Sequence, residues 1–397
     1  MVDHRVRRTT ESDAVSRRFV LGGLAAAAPL SVLAGQAAQD VIETPSLSRE
    51  AARGGRFFGA AVRLDTINAE QDLHDAVLRD CSHLTPEIEM QWKAIEPEPG
   101  EVSFTALDDL TGFAEAAQKG VIGHSLLWHL GAPAWANERL RDDRNWRLIS
   151  RHFAAVLPRF NDQIGHWIVV NEAIDPGANP EGLRANVFLD AFGPDYIPRA
   201  LEEARAHAPK TRLMINEFGL EYGFEVERDK RFLFLKLLER LRSSGAPLDG
   251  VGIQAHLDLQ KGEVSQAEIA SFLHEIANMG LFVVITELDV KESNYKALAR
   301  DRDMFVGDEV RRYLEVALNE PAVVGVTTWG VSDRHSWLEV TQADRDRFAG
   351  AWTHGDGPGL NRGLPYDSDM RRKPMYRAIA SALAGGRSSG VRSSGTS

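Results

Sequence analysis

The stretch WIVVNEAID, Trp167 to Asp175, sets a β-branched apolar run directly before an asparagine and a glutamate. Ile168, Val169 and Val170 show no polar alternation, the signature of a strand covered on both faces, as in a parallel sheet. A second stretch, FVVITELDV from Phe282 to Val290, repeats the pattern, with Val283, Val284 and Ile285 leading to Glu287. Each of the two carboxylates, Glu172 and Glu287, therefore falls at the C-terminal end of a buried strand. In a (β/α)8 barrel those strand ends form the mouth at which reacting residues collect.

Outward from these two stretches, strand-like runs alternate with helical patterns: FFGAAV, CSHLT, VIGHSLLW, HWIVVNE, TRLMINEF, GVGIQAHL, FVVITELDV and VVGVTTWGV. Eight such runs, separated by segments such as DYIPRALEEARAHAP with apolar residues three and four apart, give an α/β fold, a (β/α)8 TIM barrel forming a single catalytic domain. The 397 residues suit one barrel with loop insertions. A hydrophobic content of 43% with 26% charged residues supplies a globular core and excludes disorder in the body of the chain.

The barrel domain is expected over residues 51–384, after a linker at 38–50. The GGRSSGVRSSGTS segment, 385–397, reads as a disordered Gly/Ser/Arg tail. Residues 1–37 carry Arg5, Arg7 and Arg8, then SRRFVL from Ser16 to Leu21, a weakly apolar GGLAAAAPLSVLAG, and the small residues Gly35 and Ala37. This order is that of a twin-arginine export signal, which predicts a periplasmic or secreted protein. The apolar part is too short and too rich in Ala and Gly to span a bilayer, so no membrane anchor is expected. The single cysteine, Cys81, permits no internal disulfide and is expected in the core. A formal net charge of -11, without a basic stripe interleaved with aromatics, argues against nucleic acid.

Two carboxyl groups on non-adjacent strands of one barrel can meet the separation of roughly 5 to 5.5 Å that retaining glycoside hydrolysis needs. Asn171, beside Glu172, offers an amide to a sugar hydroxyl. Asp289 lies two residues past Glu287 and so on the same side of its strand. His256, at the end of the preceding run, stands where Asp289 can orient its imidazole against Glu287 and keep that carboxylate ionised, separating the two glutamates' pKa values. His124 and His129 lack helical metal-pair spacing and no HExxH pattern occurs, so neither a metal nor any other cofactor is expected.

Six motifs follow one another along the chain: GHSLLWH (Gly123 to His129), VVNEA (Val169 to Ala173), LMINEFGLE (Leu213 to Glu221), GVGIQAH (Gly250 to His256), ITELDV (Ile285 to Val290) and TTWGVSDRHSWL (Thr327 to Leu338). In this ordered set the chain resembles glycoside hydrolase family 10, the endo-β-1,4-xylanases. The resemblance implies Glu172 as acid/base and Glu287 as nucleophile. It implies Glu87, His124, Trp128, Asn171, Gln254 and His256 as substrate-binding residues, with Asp289 and His256 supporting the nucleophile. Trp329 and Trp337 match tryptophans whose flat rings cover the apolar face of a pyranose. The implied activity is cleavage of internal β-1,4-xylosidic bonds of xylan or xylo-oligosaccharides by double displacement; a monomer is expected, although no sequence feature sets the oligomeric state.

The segment LTPEIEMQWKAIEPEPG departs from the family pattern. Glu87, Met90 and Trp92 fit, whereas Ile88 replaces the usual asparagine and Gln91 the usual lysine. In WHLGAPAW, Leu130 and Gly131 stand where small and amide residues are common. Each charged or bidentate contact to a sugar hydroxyl contributes about 1 to 3 kcal/mol. The sequence therefore predicts weak glycone-side binding of unsubstituted xylo-oligosaccharides and preference for a decorated or different glycan. Two rival readings remain: an exo-acting or non-xylan β-glycosidase of the same fold, and a non-catalytic carbohydrate-binding barrel.

Overall fold

The computed structural model describes residues 46–292, 297–339 and 361–385. The expected export signal at 1–37 and the tail from residue 386 onward lie outside the described residues. Within them the chain forms β1 (Phe57–Val62), β2 (His83–Pro86), β3 (Gly120–Gly123), β4 (Ile164–Asn171), β5 (Arg212–Glu217), β6 (Gly250–Ile253), β7 (His256–Asp258), β8 (Phe282–Lys291) and β9 (Val323–Thr328). Neighbours pair in parallel in the order β6-β5-β4-β3-β2-β1-β9-β8, and β6 pairs with β8 to close the ring. β7 continues the line of β6 after a break at Gln254 and Ala255 and pairs with β8. At the break Ala255 takes a φ of 59°, which ends the ladder and restarts it. Counting β6 and β7 as one stave gives the eight-stranded barrel expected from the sequence.

The unalternating runs have a direct cause. Ile168, Met214 and Val284 point into the barrel and pack with Ile122, Phe57 and Phe282. Trp167, Val169 and Val170 point the other way, into the layer between strands and helices. Both faces are dry, and each such side chain removed from water contributes about 1.5 to 3 kcal/mol. Gly252 faces inward as well. A Cβ there would come within 2.1 Å of Asn216 Oδ1, so the small residue is what lets the Asn216 amide lie across β6.

The helix Glu225–Ser243 has acidic residues Glu225 and Glu227 in its first turn and Arg240 and Arg242 in its last, complementing its dipole. Its buried stripe runs Glu227, Lys230, Arg231, Phe234, Leu237, Leu238 and Leu241. Three charged residues at the N-terminal end of an otherwise apolar stripe require partners beneath them.

Two sequence expectations shift. The run VIGHSLLW stays in the ladder only as far as Gly123; residues after it leave the sheet and rejoin β4 through one bridge, Leu127 to Val170. The linker expected over 38–50 overlaps a helix, Leu47–Arg53, that belongs to the barrel domain. Leu47 is buried, the Ser46 hydroxyl donates to Arg79 O at 2.6 Å, and the Leu47 amide donates to Asp80 Oδ1 at 3.4 Å. The same Asp80 carboxylate accepts the hydroxyls of Tyr366 at 2.5 Å and Tyr376 at 2.7 Å, so one buried anion ties this helix to the closing helix Pro374–Gly385. Cys81 is buried beside it, as expected, and burial pushes its thiol up to about 12.

Candidate active site

The C-terminal ends of β4, β5 and β8 converge on one hydrogen-bonded chain. Asn171 and Asn216 are register partners on β4 and β5. Thr286 Oγ1, one residue before Glu287, donates to Asn216 Oδ1 at 2.7 Å, and this fixes the orientation of the Asn216 amide. Asn216 Nδ2 then donates to Glu287 Oε1 at 2.7 Å and to Asn171 Oδ1 at 2.9 Å. Asn171 Nδ2 in turn donates to Glu172 Oε1 at 3.3 Å, and Gln254 Nε2 reaches the same oxygen at 3.2 Å. Glu172 itself has a φ of 59°, the left-handed region unusual for a glutamate, with its amide donating to Asn216 O at 2.9 Å. The turn at that residue carries its side chain off the strand and into the mouth.

The other side of Glu287 meets a charge relay of different character. His256 Nε2 lies 3.2 Å from Glu287 Oε2, and His256 Nδ1 lies 2.8 Å from Asp289 Oδ1. His256 and Asp289 are register partners on β7 and β8. The Trp337 indole donates to the second oxygen of Asp289, and His124 Nε2 stands 3.6 Å from Glu287 Oε1. Burial disfavours the His256 cation, but Asp289 and Glu287 outweigh it and hold the imidazole well above its ordinary value. Burial likewise opposes the Glu287 anion, yet the hydrogen bond from His256, the His124 ring and the Asn216 amide bring Glu287 below the usual carboxylate range.

Glu172 shifts the opposite way. Burial raises it first, and the negative charge of Glu217 on the next strand raises it further, against the lowering by Trp128 and Gln254. Glu217 is fully buried and paired with Lys230 Nζ at 2.8 Å. It also accepts the amide of Ile174 at 2.8 Å. The two carboxyls of the site are thus displaced in opposite directions, Glu172 toward holding a proton and Glu287 toward the anion, the separation that general-acid and nucleophilic roles use.

A cavity of about 400 Å³ opens over this chain, a size suited to sugar residues. Glu172, Glu287, His124, Trp128, Asn171, Gln254, His256, Asp289, Trp329 and Trp337 all line it. Trp329 stands edge-on to His124 at 5.1 Å between ring centroids, and Trp337 stands edge-on to His256 at 5.3 Å. Glu87 is the expected residue that the structure leaves out of the lining: it is half-buried just past β2, its amide donating to Val62 O. Ile88 and Gln91 also lie outside the lining. Gln91 is buried, with Nε2 donating to Glu87 O at 3.2 Å. Leu130 lines the cavity, while Gly131 presents its bare Cα to Trp128.

Sequence reasoning missed Asn216, Glu217, Thr286 and Lys230. A signal for the first two existed: Asn216-Glu217 repeats the Asn171-Glu172 dipeptide at the end of the next strand. Lys230 carried none, because it reaches Glu217 from the helix that follows β5. Among the described residues no group of three His, Cys, Asp or Glu side chains is placed to hold a metal ion.

Known proteins share this architecture. Endo-1,4-beta-xylanase 1 of Humicola insolens is 31% identical over 339 residues, 83% of this chain and 72% of that protein. The crystal structure of native xylanase 10B from Thermotoga maritima matches with a TM-score of 0.73 at 26% identity, covering 85% of this chain and 98% of that one. Xylanase 10B from Thermotoga petrophila RKU-1, solved in complex with xylobiose, gives a TM-score of 0.73 at 26% identity over 85% and 97% of the two chains. The sequence profile of glycosyl hydrolase family 10 matches residues 46–382, from the first described helix to the last, and the chain belongs to that family.

Proposed function

We propose that the protein is a retaining endo-1,4-β-xylanase in which Glu172 is the acid/base and Glu287 the nucleophile. The observation that carries the assignment is the opposite displacement of the two carboxyls, Glu172 above and Glu287 below the ordinary range. In the first step Glu287 attacks the anomeric carbon while Glu172 protonates the departing glycosidic oxygen, whose bond to that carbon breaks. The product is a glycosyl ester of Glu287 and a free reducing-end fragment. In the second step Glu172, now anionic, takes a proton from water as that water attacks the same carbon, and the ester bond breaks to release Glu287. Two inversions leave the configuration retained.

His256 and Asp289 keep Glu287 ionised and aimed. Asn171 and Gln254 hold Glu172 and offer donors to a sugar hydroxyl; Trp329 and Trp337 give the ring an apolar wall. The names of the relatives and the xylobiose in one structural neighbour support a xylan-type substrate. A time course of xylohexaose digestion by the full chain tests the reading. Early xylobiose to xylotetraose is the expected result, with Glu287→Ala inactive. Xylose as the sole early product would assign exo action instead, and equal turnover by the Glu287→Ala variant would remove the mechanism.

The pair Arg17-Arg18 before the apolar segment supports export by the twin-arginine route. Replacing both by lysine should leave xylanase antigen in the cytoplasm of the producing cell. Unchanged recovery outside the inner membrane would refute the route. No helix among the described residues is long and apolar enough to cross a membrane.

A further inference from the structure

Resting on the hydrolase reading above, we propose that the cavity accepts xylo-oligosaccharides bearing a carboxylate on a side group, a hexuronic acid substituent, and that Lys291 is the residue that reads the carboxylate. Lys291 ends β8 two residues beyond Asp289 and four beyond Glu287, so the three side chains alternate onto one face of the strand. It is half-buried and lines the same cavity.

What separates Lys291 from its neighbours is the want of a counter-charge. Lys261, the other lysine of the lining, is held by Glu227 at 2.7 Å and lies over the Tyr222 ring. Glu292, the next residue along, is committed to Arg302. The register partner of Lys291 is Asp258, the carboxylate best placed to neutralise it. Asp258 instead turns into its own loop, where Oδ1 accepts the Gln260 amide at 2.9 Å and caps the turn Leu259–Lys261. Among the described residues no carboxylate lies within ion-pair distance of the Lys291 ammonium.

The anions deeper in the cavity do not serve it either. Glu287 and Asp289 are engaged by His256, Asn216 and Trp337. A partly desolvated ammonium with free donors, facing a sugar-sized cavity, is a site for an anionic oxygen from the ligand. The location agrees. In the ring order β8 stands opposite β3 and three staves from β2, so Lys291 occupies a different part of the mouth from Ile88 and Gln91, which are not among the residues lining this cavity. Leu257 and Phe218 on the Lys291 side give apolar surface for the ring that carries the acid. Selectivity in this enzyme therefore sits on a charge on the β8 side rather than on hydroxyl readers beside β2.

The test compares three substrates of the full chain: linear xylohexaose, a xylo-oligosaccharide with one glucuronosyl side group, and that same oligosaccharide with its carboxyl reduced to the alcohol. The expected result is a kcat/KM about 5- to 30-fold higher for the acidic form than for its reduced counterpart at low ionic strength. That ratio should shrink with added sodium chloride, fall to about one in a Lys291→Met variant whose circular dichroism matches the parent, and be largely kept in Lys291→Arg. A parental ratio near one, or an undiminished ratio in Lys291→Met, would overturn the assignment. If none of the three is cleaved, the hydrolase reading fails. The Lys291 assignment is then decided by calorimetric titration of the acidic and reduced oligosaccharides, where equal affinities overturn it and weaker binding of the reduced form sustains it.

Discussion

Asn171-Glu172 and Asn216-Glu217 end neighbouring parallel strands in register, and the same dipeptide becomes two different chemical objects. Glu217 has its oxygens filled by the Lys230 ammonium and by the amides of Ile174 and Phe218, with nothing exposed. Glu172 receives only neutral side-chain amides at Oε1, faces the cavity, and sits close enough to Glu217 to be raised by its charge. A buried carboxylate given a cation becomes structure; a buried carboxylate given a neighbouring anion becomes an acid. What decides between them is whether the following segment returns a lysine.

The largest way to break this contrast is at Glu172. Glu172→Ala should lower turnover on xylohexaose by about 10²- to 10⁴-fold, the worth of a placed acid/base, while leaving the unfolding midpoint little changed. The parent's kcat/KM should rise as pH climbs through Glu287, below the usual carboxylate range, and fall as pH passes Glu172, above it. The variant should lose the alkaline limb alone. A retained alkaline limb would show that some other group carries the proton.

A smaller effect of the opposite kind is expected at Lys230. Lys230→Met strips the cation from a fully buried Glu217 and should cost about 3 to 5 kcal/mol in urea unfolding at pH 7. If stability held while turnover collapsed, Glu217 and not Glu172 would be the functional glutamate of the two. The smallest effect concerns β2. Ile88→Asn with Gln91→Lys should raise kcat/KM on linear xylo-oligosaccharides by no more than about tenfold, because it adds at most a contact or two at the rim. An unchanged value would show that these positions do not limit glycone binding.

The barrel was legible wherever a run was dry on both faces. Val283 to Ile285 and Ile168 to Val170 announced their strands because neither face could be polar. The ends were harder. VIGHSLLW is apolar throughout, yet its second half leaves the ladder to bring His124 and Trp128 to the cavity. GVGIQAHL is one run in sequence and two strands in space, since the φ of Ala255 is a backbone property that no side-chain pattern marks. At the site, Asp289 and His256 could be paired in advance from strand alternation and order along the barrel. Lys230 could not, because a lysine within the charged run Glu227 to Arg231 at the start of a helix reads as a solvated position until Glu217 is found beneath it. Glu87 carried the family spacing and lies half-buried just past β2, not among the residues that line this cavity.

The closure of the ring has a consequence for biosynthesis. β1 obtains its second neighbour only from β9, and Asp80 obtains its two hydroxyl donors only from Tyr366 and Tyr376. A nascent chain halted before Val323 has made most of its strands, yet it still presents the unpaired edges of β1 and β8, rows of free amide and carbonyl groups open to any other chain. A stage exposed to misassembly therefore falls in the interval after most of the polypeptide has been made and before the segment from Val323 onward docks against β1 and Asp80. Chaperone capacity during synthesis, more than the stability of the finished barrel, should set how much of it a cell can accumulate.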